Sequence, residues 1–265
     1  MPNSLPLYQV DAFADQPFTG NPAAVCVLGE WLADELMLSI AAENNLSETA
    51  FIIQAGDGYE IRWFTPVDEV DLCGHATLAA AHVVFQHLDW SEAELTFRSK
   101  SGELVINKLD SGYAMNFPLA ELTEDMPPPE LIDALGLEAS KGYPYFKSYD
   151  LLIILEHLED LHNLQPDFNK LSQIRTRGII VSSPGVDCDY VARCFYPALG
   201  VNEDPVTGSA HCIAAAYWSK ILNRSSLSAR QLSQRGGSLG CEIKGERIIL
   251  TGQAADYLVG TICIY

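Results

Sequence analysis

Two short segments combine a glycine with polar side chains immediately before an alanine-rich run. The earlier is Cys73-Gly74-His75, and the later is Thr207-Gly208-Ser209, with Asp204 shortly before it. A glycine at the start of a helix lets a ligand approach the unpaired backbone N–H groups, and the helix dipole favours a negative charge there. We expect Gly74 and Gly208 to begin helices that bind the carboxylate, or a developing enolate oxygen, of a small substrate.

Glu48 is the candidate for moving a proton. It lies in the connector Leu46-Ser47-Glu48-Thr49, between a predicted helix and the apolar strand 50–53. Apolar neighbours desolvate a carboxyl, and desolvation raises its pKa toward the range that suits general acid–base catalysis. The ordinary alternative is a solvated loop carboxylate, because glutamate side chains are usually exposed.

The remaining polar residues are expected to assist the proton transfer. His75 and Asp204 are assigned to orienting polar groups or stabilising charge, and Ser209 to donating a hydrogen bond. Ordinary alternatives exist for all three. Asp204 before a proline is a turn former, Ser209 is a helix N-cap, and His75 is a neutral core or capping histidine.

Cys73 and Thr207 occupy matching positions in the two segments. A thiol at a helix N-terminus has a lowered pKa, so this pair could act as bases on opposite faces of a substrate. Against that, a buried cysteine is usually only a small hydrophobic residue, and threonine is a poor base at neutral pH.

No metal and no cofactor is expected. His75, His82 and His87 lie seven and five residues apart, which does not place them on one helical face, and no carboxylate or Cys-x-x-Cys pair completes a ligand set. The segment Gly236-Gly237-Ser238-Leu239-Gly240 opens a strand-rich tail without a P-loop lysine, and no nicotinamide or flavin fingerprint is present.

The two segments belong to an internal repeat. Aligning Gly208 with Gly74 also pairs Phe195 with Phe64 and Asp204 with Asp71, about half a chain apart. A duplicated module predicts two halves related by a pseudo-twofold axis, 1–118 and 119–265, with the active site in the cleft between them. The C-terminal strand can cross back to the first half.

Hydrophobic periodicity predicts an α+β fold for each half. In the first half, strands are expected near 7–13, 23–28, 50–53 and 59–64, helices at 31–45 and 76–88, and an antiparallel meander over 95–117. The second half repeats the order, with strands at 150–155, 178–182 and 190–195 and a helix at 210–222. Arg177 stands near the place of Glu48, so the repeat offers one obvious base. Each half thus has several strands that enclose one alanine-rich helix.

Composition narrows the class of protein. The 265 residues carry a net charge of -19 with only 16 Lys and Arg, which argues against nucleic-acid or anionic-membrane binding. Seven cysteines without paired short spacings fit reduced thiols in the cytoplasm. The sequence contains no run of about 18 apolar residues, so no membrane span is predicted.

Several motifs together resemble the phenazine-biosynthesis isomerase (PhzF-like) family, which is similar in fold to diaminopimelate epimerase. They run in family order over nearly the whole chain: 11–13, 17–23, 46–51, 64–66, Cys73-Gly74-His75-Ala76-Thr77 and 203–210. The resemblance implies two similar halves, each a mostly antiparallel sheet rolled around a central helix, and an active site that needs no cofactor. It also implies a homodimer in many relatives.

The resemblance implies roles for individual residues as well. The family's proton-shuttling glutamate matches Glu48, and residues lining its site match His75, Asp204 and Ser209. The chain departs from the family at Gln234-Arg235-Gly236 and Gly240-Cys241. The epimerase branch of the fold uses two cysteines, whereas here Cys73 is matched by Thr207, which disfavours a two-thiol racemase.

Three hypotheses follow. The first is a cofactor-independent isomerase or epimerase of a small carboxylate-bearing metabolite with Glu48 as the acid–base group. The second is a Cys73-based racemase or dehydratase on the same scaffold. The third is a non-catalytic protein that binds a carboxylate or a partner.

Overall fold

The computed structural model describes residues 3–264 and divides into two compact units. The first comprises the chain up to Asn116 together with the segment from Thr251 onward, and the second comprises Phe117–Leu250. The sequence-based boundary falls at 118, and the structure assigns the last segment of the predicted half 119–265 to the first unit.

The first unit contains nine strands and two helices among its described residues. The strands are β1 (Asn3–Ala12), β2 (Asn21–Leu28), β3 (Glu48–Ala55), β4 (Gly58–Phe64), β5 (Glu69–Val70), β6 (Glu94–Ser99), β7 (Gly102–Lys108), β8 (Tyr113–Pro118) and, after the second unit, β17 (Ala254–Ile264). The helices are α1 (Asp34–Asn44) and α2 (Gly74–His87).

Strand pairing in the first unit is mostly antiparallel. The order β17-β1-β2-β3-β4-β6-β7-β8 has parallel pairs only at β2–β3 and β4–β6, within the described strands, and β5 pairs with β4. Each parallel pair is bridged by a helix, α1 between β2 and β3 and α2 between β4 and β6, as crossover connections require.

Helix α2 is the centre of the first unit. It packs against β1, β2, β3, β7 and β17, and every residue from His75 to Phe85 is buried. A helix that is apolar all round must be enclosed, and its alanines let the sheet approach closely. Helix α1 lies outside, packing Met37, Ile40 and Ala41 against Cys26 and Phe51, and ends at Asn45 in the left-handed conformation.

The second unit is built from the remaining elements. Its strands are β9 (Thr123–Asp125), β10 (Tyr145–Lys147), β11 (Leu151–Ile154), β12 (Ile179–Pro184), β13 (Tyr190–Phe195), β14 (Ser226–Gln231), β15 (Gly237–Lys244) and β16 (Arg247–Gly252). Its helices are α3 (Pro129–Ala134), α4 (Leu158–His162), α5 (Phe168–Leu171) and α6 (Gly208–Leu222), with a 3-10 turn at Pro197–Leu199.

The second unit repeats the pairing pattern of the first. From β10 to β15 the successive pairs are antiparallel, parallel, antiparallel, parallel and antiparallel, as they are from β1 through β2, β3, β4 and β6 to β7. Helix α6 takes the place of α2 and is mostly buried from Gly208 to Trp218, while its last three residues are exposed. The predicted α+β class with two similar halves around central helices is therefore confirmed.

None of the helices between residues 3 and 264 is long and apolar enough to cross a membrane.

Candidate active site

Glu48 and His75 meet at the start of the central helix α2. Glu48 is the first residue of β3, where it pairs with Ala23 of β2, and His75 is the second residue of α2. The Glu48 Oε2 and His75 Nε2 atoms lie 3.2 Å apart, and the two side chains are 19% and 8% exposed. Neither atom makes an aligned hydrogen bond with any residue from 3 to 264, so both can still bond to a ligand.

Asn21 and Cys73 contact the other imidazole nitrogen. The distances to His75 Nδ1 are 3.3 Å from Asn21 Nδ2 and 3.5 Å from Cys73 Sγ. A neutral His75 accepts the amide N–H at Nδ1 and carries its proton on Nε2, toward Glu48. A protonated His75 donates from Nδ1 to the thiol sulfur, or to Oδ1 once the amide has turned over.

A tight turn positions Asn21, which is the first residue of β2 and fully buried. Gly20, just before it, has a φ of +65°, and a Cβ there would lie 2.2 Å from the carbonyl oxygen of Ala12. Only glycine fits this approach of two backbone segments.

The pKa of Glu48 is shifted in the direction opposite to the sequence-based expectation. Burial acts to raise the pKa of Glu48, but the positive charge of His75 and the polar contacts of the carboxylate with His75 and Cys73 outweigh it, so the pKa lies below the ordinary value of 4.5. The prediction of a raised pKa for Glu48 is therefore wrong, because it ignored a histidine 27 residues away in sequence.

His75 and Cys73 show the opposite shift. Burial opposes the charge on His75, but the acidic neighbours Cys73 and Glu48 more than offset it and hold the pKa of His75 well above 6.5. Burial, followed by the charge of Glu48, raises the pKa of the Cys73 thiol. Because that thiol stays protonated at neutral pH, Glu48 is the neighbour that supplies the negative charge.

In the second unit, Asp204 and Thr207 form a network at the start of α6. The Thr207 hydroxyl donates to the Asp204 carboxylate, and the Thr207 backbone N–H donates to Gln231 Oε1 over 2.8 Å. The Gln231 amide donates to the Asp204 carbonyl oxygen, also over 2.8 Å. Thr207 is the N-cap of α6, so the alternative that Ser209 is the N-cap is wrong.

Ser209 belongs to a second network in the same unit. Its Oγ accepts from Arg177 Nη2 over 3.0 Å, which leaves the hydroxyl proton available for donation. Arg177 also forms a bidentate pair with the buried Asp150, at 2.7 and 2.5 Å, and its guanidinium lies 4.9 Å from the centre of the Tyr149 ring. Arg177 is thus held rigidly beside Ser209.

Both central helices start without a capping side chain among residues 3–264, and neither first turn contains an acidic residue. Gly74 and Gly208 are the first residues of α2 and α6, as predicted. Unpaired N–H groups at such a start attract an anion.

The second unit contains no counterpart of Glu48. Phe64 and Phe195 match in the repeat, and their strand partners are Thr49 in the first unit and Ile179 in the second. The residues just before these partners, Glu48 and Gly178, therefore match as well. A Cβ at Gly178 would lie 2.1 Å from the Tyr196 ring. The ring fills the space that a carboxylate would need.

Sequence reasoning did not assign Asn21 and Gln231 to the site. Both are fully buried polar residues. Gln231 occupies the apolar face of β14 after Leu227 and Ala229, and a polar residue at such a position is a signal that it has a specific partner. Asn21 follows a glycine turn and offers no comparable signal.

Within residues 3–264, two groups of side chains have a geometry that could hold a metal. Glu48, Cys73 and His75 offer ligand atoms within 4.8 Å of one another, as do His82, His87 and Asp256. In the first group, Glu48 and His75 already contact each other at 3.2 Å and belong to the candidate active site.

Comparison with known proteins identifies the family. Residues 10–260 match the family described as phenazine biosynthesis-like protein. Two uncharacterized isomerases of Pseudomonas aeruginosa are 49% identical over 259 residues and 46% identical over 258 residues, and each alignment covers 97% of this chain and 98% of the relative.

Solved structures agree with this assignment. A PhzF-family protein from Enterococcus faecalis has a TM-score of 0.95 at 45% identity, over 98% of this chain and 99% of that one. A hydroxyproline epimerase from Agrobacterium vitis shares the fold alone, with a TM-score of 0.65 at 11% identity over 99% and 94% of the two chains. The chain therefore belongs to the phenazine biosynthesis-like (PhzF) family and, like its relatives at 46–49% identity, is classed with isomerases.

Proposed function

We propose that this protein is a cofactor-independent isomerase that moves a proton between carbon atoms of a small carboxylate-bearing metabolite, with Glu48 as the acid–base group. One observation carries the proposal: Glu48 Oε2 lies 3.2 Å from His75 Nε2 at the uncapped start of α2. An ionised carboxylate there can take a proton from carbon while nearby N–H groups stabilise the resulting anion.

The lowered pKa of Glu48 sets the order of events. Glu48 is ionised at neutral pH, so it acts first as a base, and it becomes an acid only after it has taken the substrate's proton. His75 keeps the carboxylate charged and oriented before the transfer. Afterwards the protonated Glu48 returns the proton to another carbon of the same ligand.

The asymmetry of the repeat favours isomerisation over epimerisation. Inverting a carbon centre requires a proton donor on the face opposite the base. The position matching Glu48 is Gly178, where the Tyr196 ring excludes a side chain, and the Thr207 hydroxyl is already bonded to Asp204. A single carboxylate that takes and returns a proton on one face fits these residues better.

Deuterium exchange tests the proposal. A panel of small amino and hydroxy acids is incubated in deuterated water with the wild type and with Glu48→Gln, Cys73→Ala and Glu43→Gln. Glu43 is an exposed residue near the end of α1 and serves as the matched control. We expect loss of C–H signals to slow by about 100-fold or more in Glu48→Gln alone.

The other outcomes point to the other hypotheses. Exchange that survives Glu48→Gln but disappears in Cys73→Ala would establish the thiol mechanism. A ligand that binds by calorimetry but is neither exchanged nor converted to an isomer would indicate a binding protein.

Asp204, Thr207, Gly208 and Ser209 are proposed to bind the substrate rather than to move the proton. In the same assay, Asp204→Asn and Ser209→Ala should raise the substrate concentration needed for half-maximal exchange. Ser219→Ala, near the other end of α6, is the control and should leave it unchanged. The cytoplasmic location and the homodimer remain predictions.

A further inference from the structure

His82, His87 and Asp256 form a cluster that the proton chemistry does not use. His82 and His87 lie in the second half of α2, and Asp256 lies in β17, 169 residues beyond His87. The expectation that no carboxylate completes a histidine set in α2 is therefore wrong, because strand β17 brings one to the helix. We propose that these three side chains form a binding site for a divalent transition-metal ion of the zinc class.

The distances within the cluster fit one ion. Asp256 Oδ1 lies 3.3 Å from His82 Nε2 and 3.0 Å from His87 Nε2. Zinc binds imidazole and carboxylate ligands at about 2.0–2.1 Å in a tetrahedron, which separates the ligand atoms by about 3.3 Å. All three ligand atoms lie within 4.8 Å of one another. Two imidazoles and one carboxylate make an ordinary set for zinc, with a fourth position left for water.

His82 is stronger evidence for a bound ion than His87. The contact between His87 and Asp256 is explained by their own hydrogen bond. His82 is only 8% exposed, and its Nε2 atom faces the cluster without an aligned hydrogen bond to any residue from 3 to 264. A metal ion bound at the cluster would give this buried nitrogen a ligand bond.

The surroundings hold the ligands as metal sites require. His82 Nδ1 lies 2.9 Å from the Tyr113 hydroxyl, whose oxygen also accepts from Gln86. When His82 Nδ1 donates its proton to that oxygen, the lone pair of Nε2 is directed to the ion. The His87 ring packs against Tyr8, with centroids 4.9 Å apart.

Strand β17 has a bulge next to Asp256. β1 pairs Val10 with Asp256 and Gln9 with Leu258, so Tyr257 is a bulge residue without a partner on β1. Bulges redirect neighbouring side chains and are common beside sites. The Asp256 side chain is 38% exposed, so a hydrated ion can reach the cluster from the surface.

Cobalt(II) binding to the untagged, full-length protein tests the proposal. We expect one equivalent to bind and to produce the intense visible bands of a tetrahedral ion. Asp256→Asn and His87→Gln should weaken binding by more than about 100-fold, and Tyr113→Phe by about 10-fold. Asp89→Asn and His157→Gln replace exposed residues outside the cluster and are the controls.

Two results would overturn the proposal. One is that the wild-type protein shows no saturable cobalt(II) binding, although its cooperative unfolding in the presence of a chelator shows that it is folded without metal. The other is binding that survives Asp256→Asn but disappears in Cys73→Ser, together with a near-ultraviolet sulfur-to-cobalt band, because the ion would then lie at the Glu48 cluster. Unfolding of each variant in chelator checks that the substitutions leave the fold intact.

Discussion

Glu48 and His75 are 27 residues apart in sequence, yet Glu48 Oε2 lies 3.2 Å from His75 Nε2. Strand register places Glu48 beside Ala23 of β2, one residue before the first β3–β4 pair, which joins Thr49 and Phe64. The start of α2 and contacts with Asn21 and Cys73 fix His75. Because the pKa of Glu48 is lowered and that of His75 is raised, folding favours the charged form of each.

The ion pair should give stability a defined pH window. The stabilisation linked to Glu48 is present above its ordinary pKa of 4.5 and is lost as pH falls through the lowered folded value. The stabilisation linked to His75 is fully present below 6.5 and is lost as pH rises through the raised folded value. His75→Gln should therefore reduce the free energy of unfolding most between these limits, by about 2 kcal/mol.

Urea unfolding of wild type and His75→Gln over a range of pH measures this window. The exposed His157→Gln is the control, and it should track the wild type at every pH. A stability difference between wild type and His75→Gln that does not vary with pH would show that the two side chains are not paired as ions.

Cys73 should react slowly with alkylating reagents in the native protein. Its thiol is buried, and burial with the charge of Glu48 raises its pKa, so little thiolate is available at neutral pH. Cys263 is exposed and should react first. Mass spectrometry after a short exposure to iodoacetamide should show one fast modification, absent in Cys263→Ser and retained in Cys73→Ala. Loss of the fast modification in Cys73→Ala would instead identify Cys73 as the activated thiol.

The sequence predicted the elements that carry the site more reliably than the contacts within it. The helices expected at 76–88 and 210–222 are α2 (Gly74–His87) and α6 (Gly208–Leu222), because alanine-rich runs behind glycine turns have strong local signals. The strand expected at 50–53 extends to Glu48, which places the carboxylate on the sheet rather than in a loop.

Contacts between distant residues account for the errors. The predicted direction of the Glu48 pKa shift is wrong because His75 comes near Glu48 only through the fold. Asp256 completes a set with His82 and His87 only after β17 has returned to the first unit. Local patterns contain no information on such partners.

Gly178→Ala tests the structural basis of the single-base mechanism. A Cβ at residue 178 would lie 2.1 Å from the Tyr196 ring, and such overpacking of a core costs about 1–3 kcal/mol in the free energy of unfolding. The matched control is Gly29→Ala, where no atom beyond the neighbouring residues in the chain lies within 4 Å of the added Cβ, and it should change stability by less than about 0.5 kcal/mol.

Introducing Gly178→Ala into a Tyr196→Leu variant as well distinguishes a clash with the Tyr196 ring from a general intolerance of substitution at residue 178. In Tyr196→Leu the ring is absent, so Gly178→Ala should cost less there than it does in the wild type, and denaturant unfolding of the four proteins gives the coupling. If Gly178→Ala is as mild as Gly29→Ala, the position has room for a side chain. The second unit could then accept a carboxylate at the position that matches Glu48, and isomerisation by a single base would no longer be favoured over epimerisation.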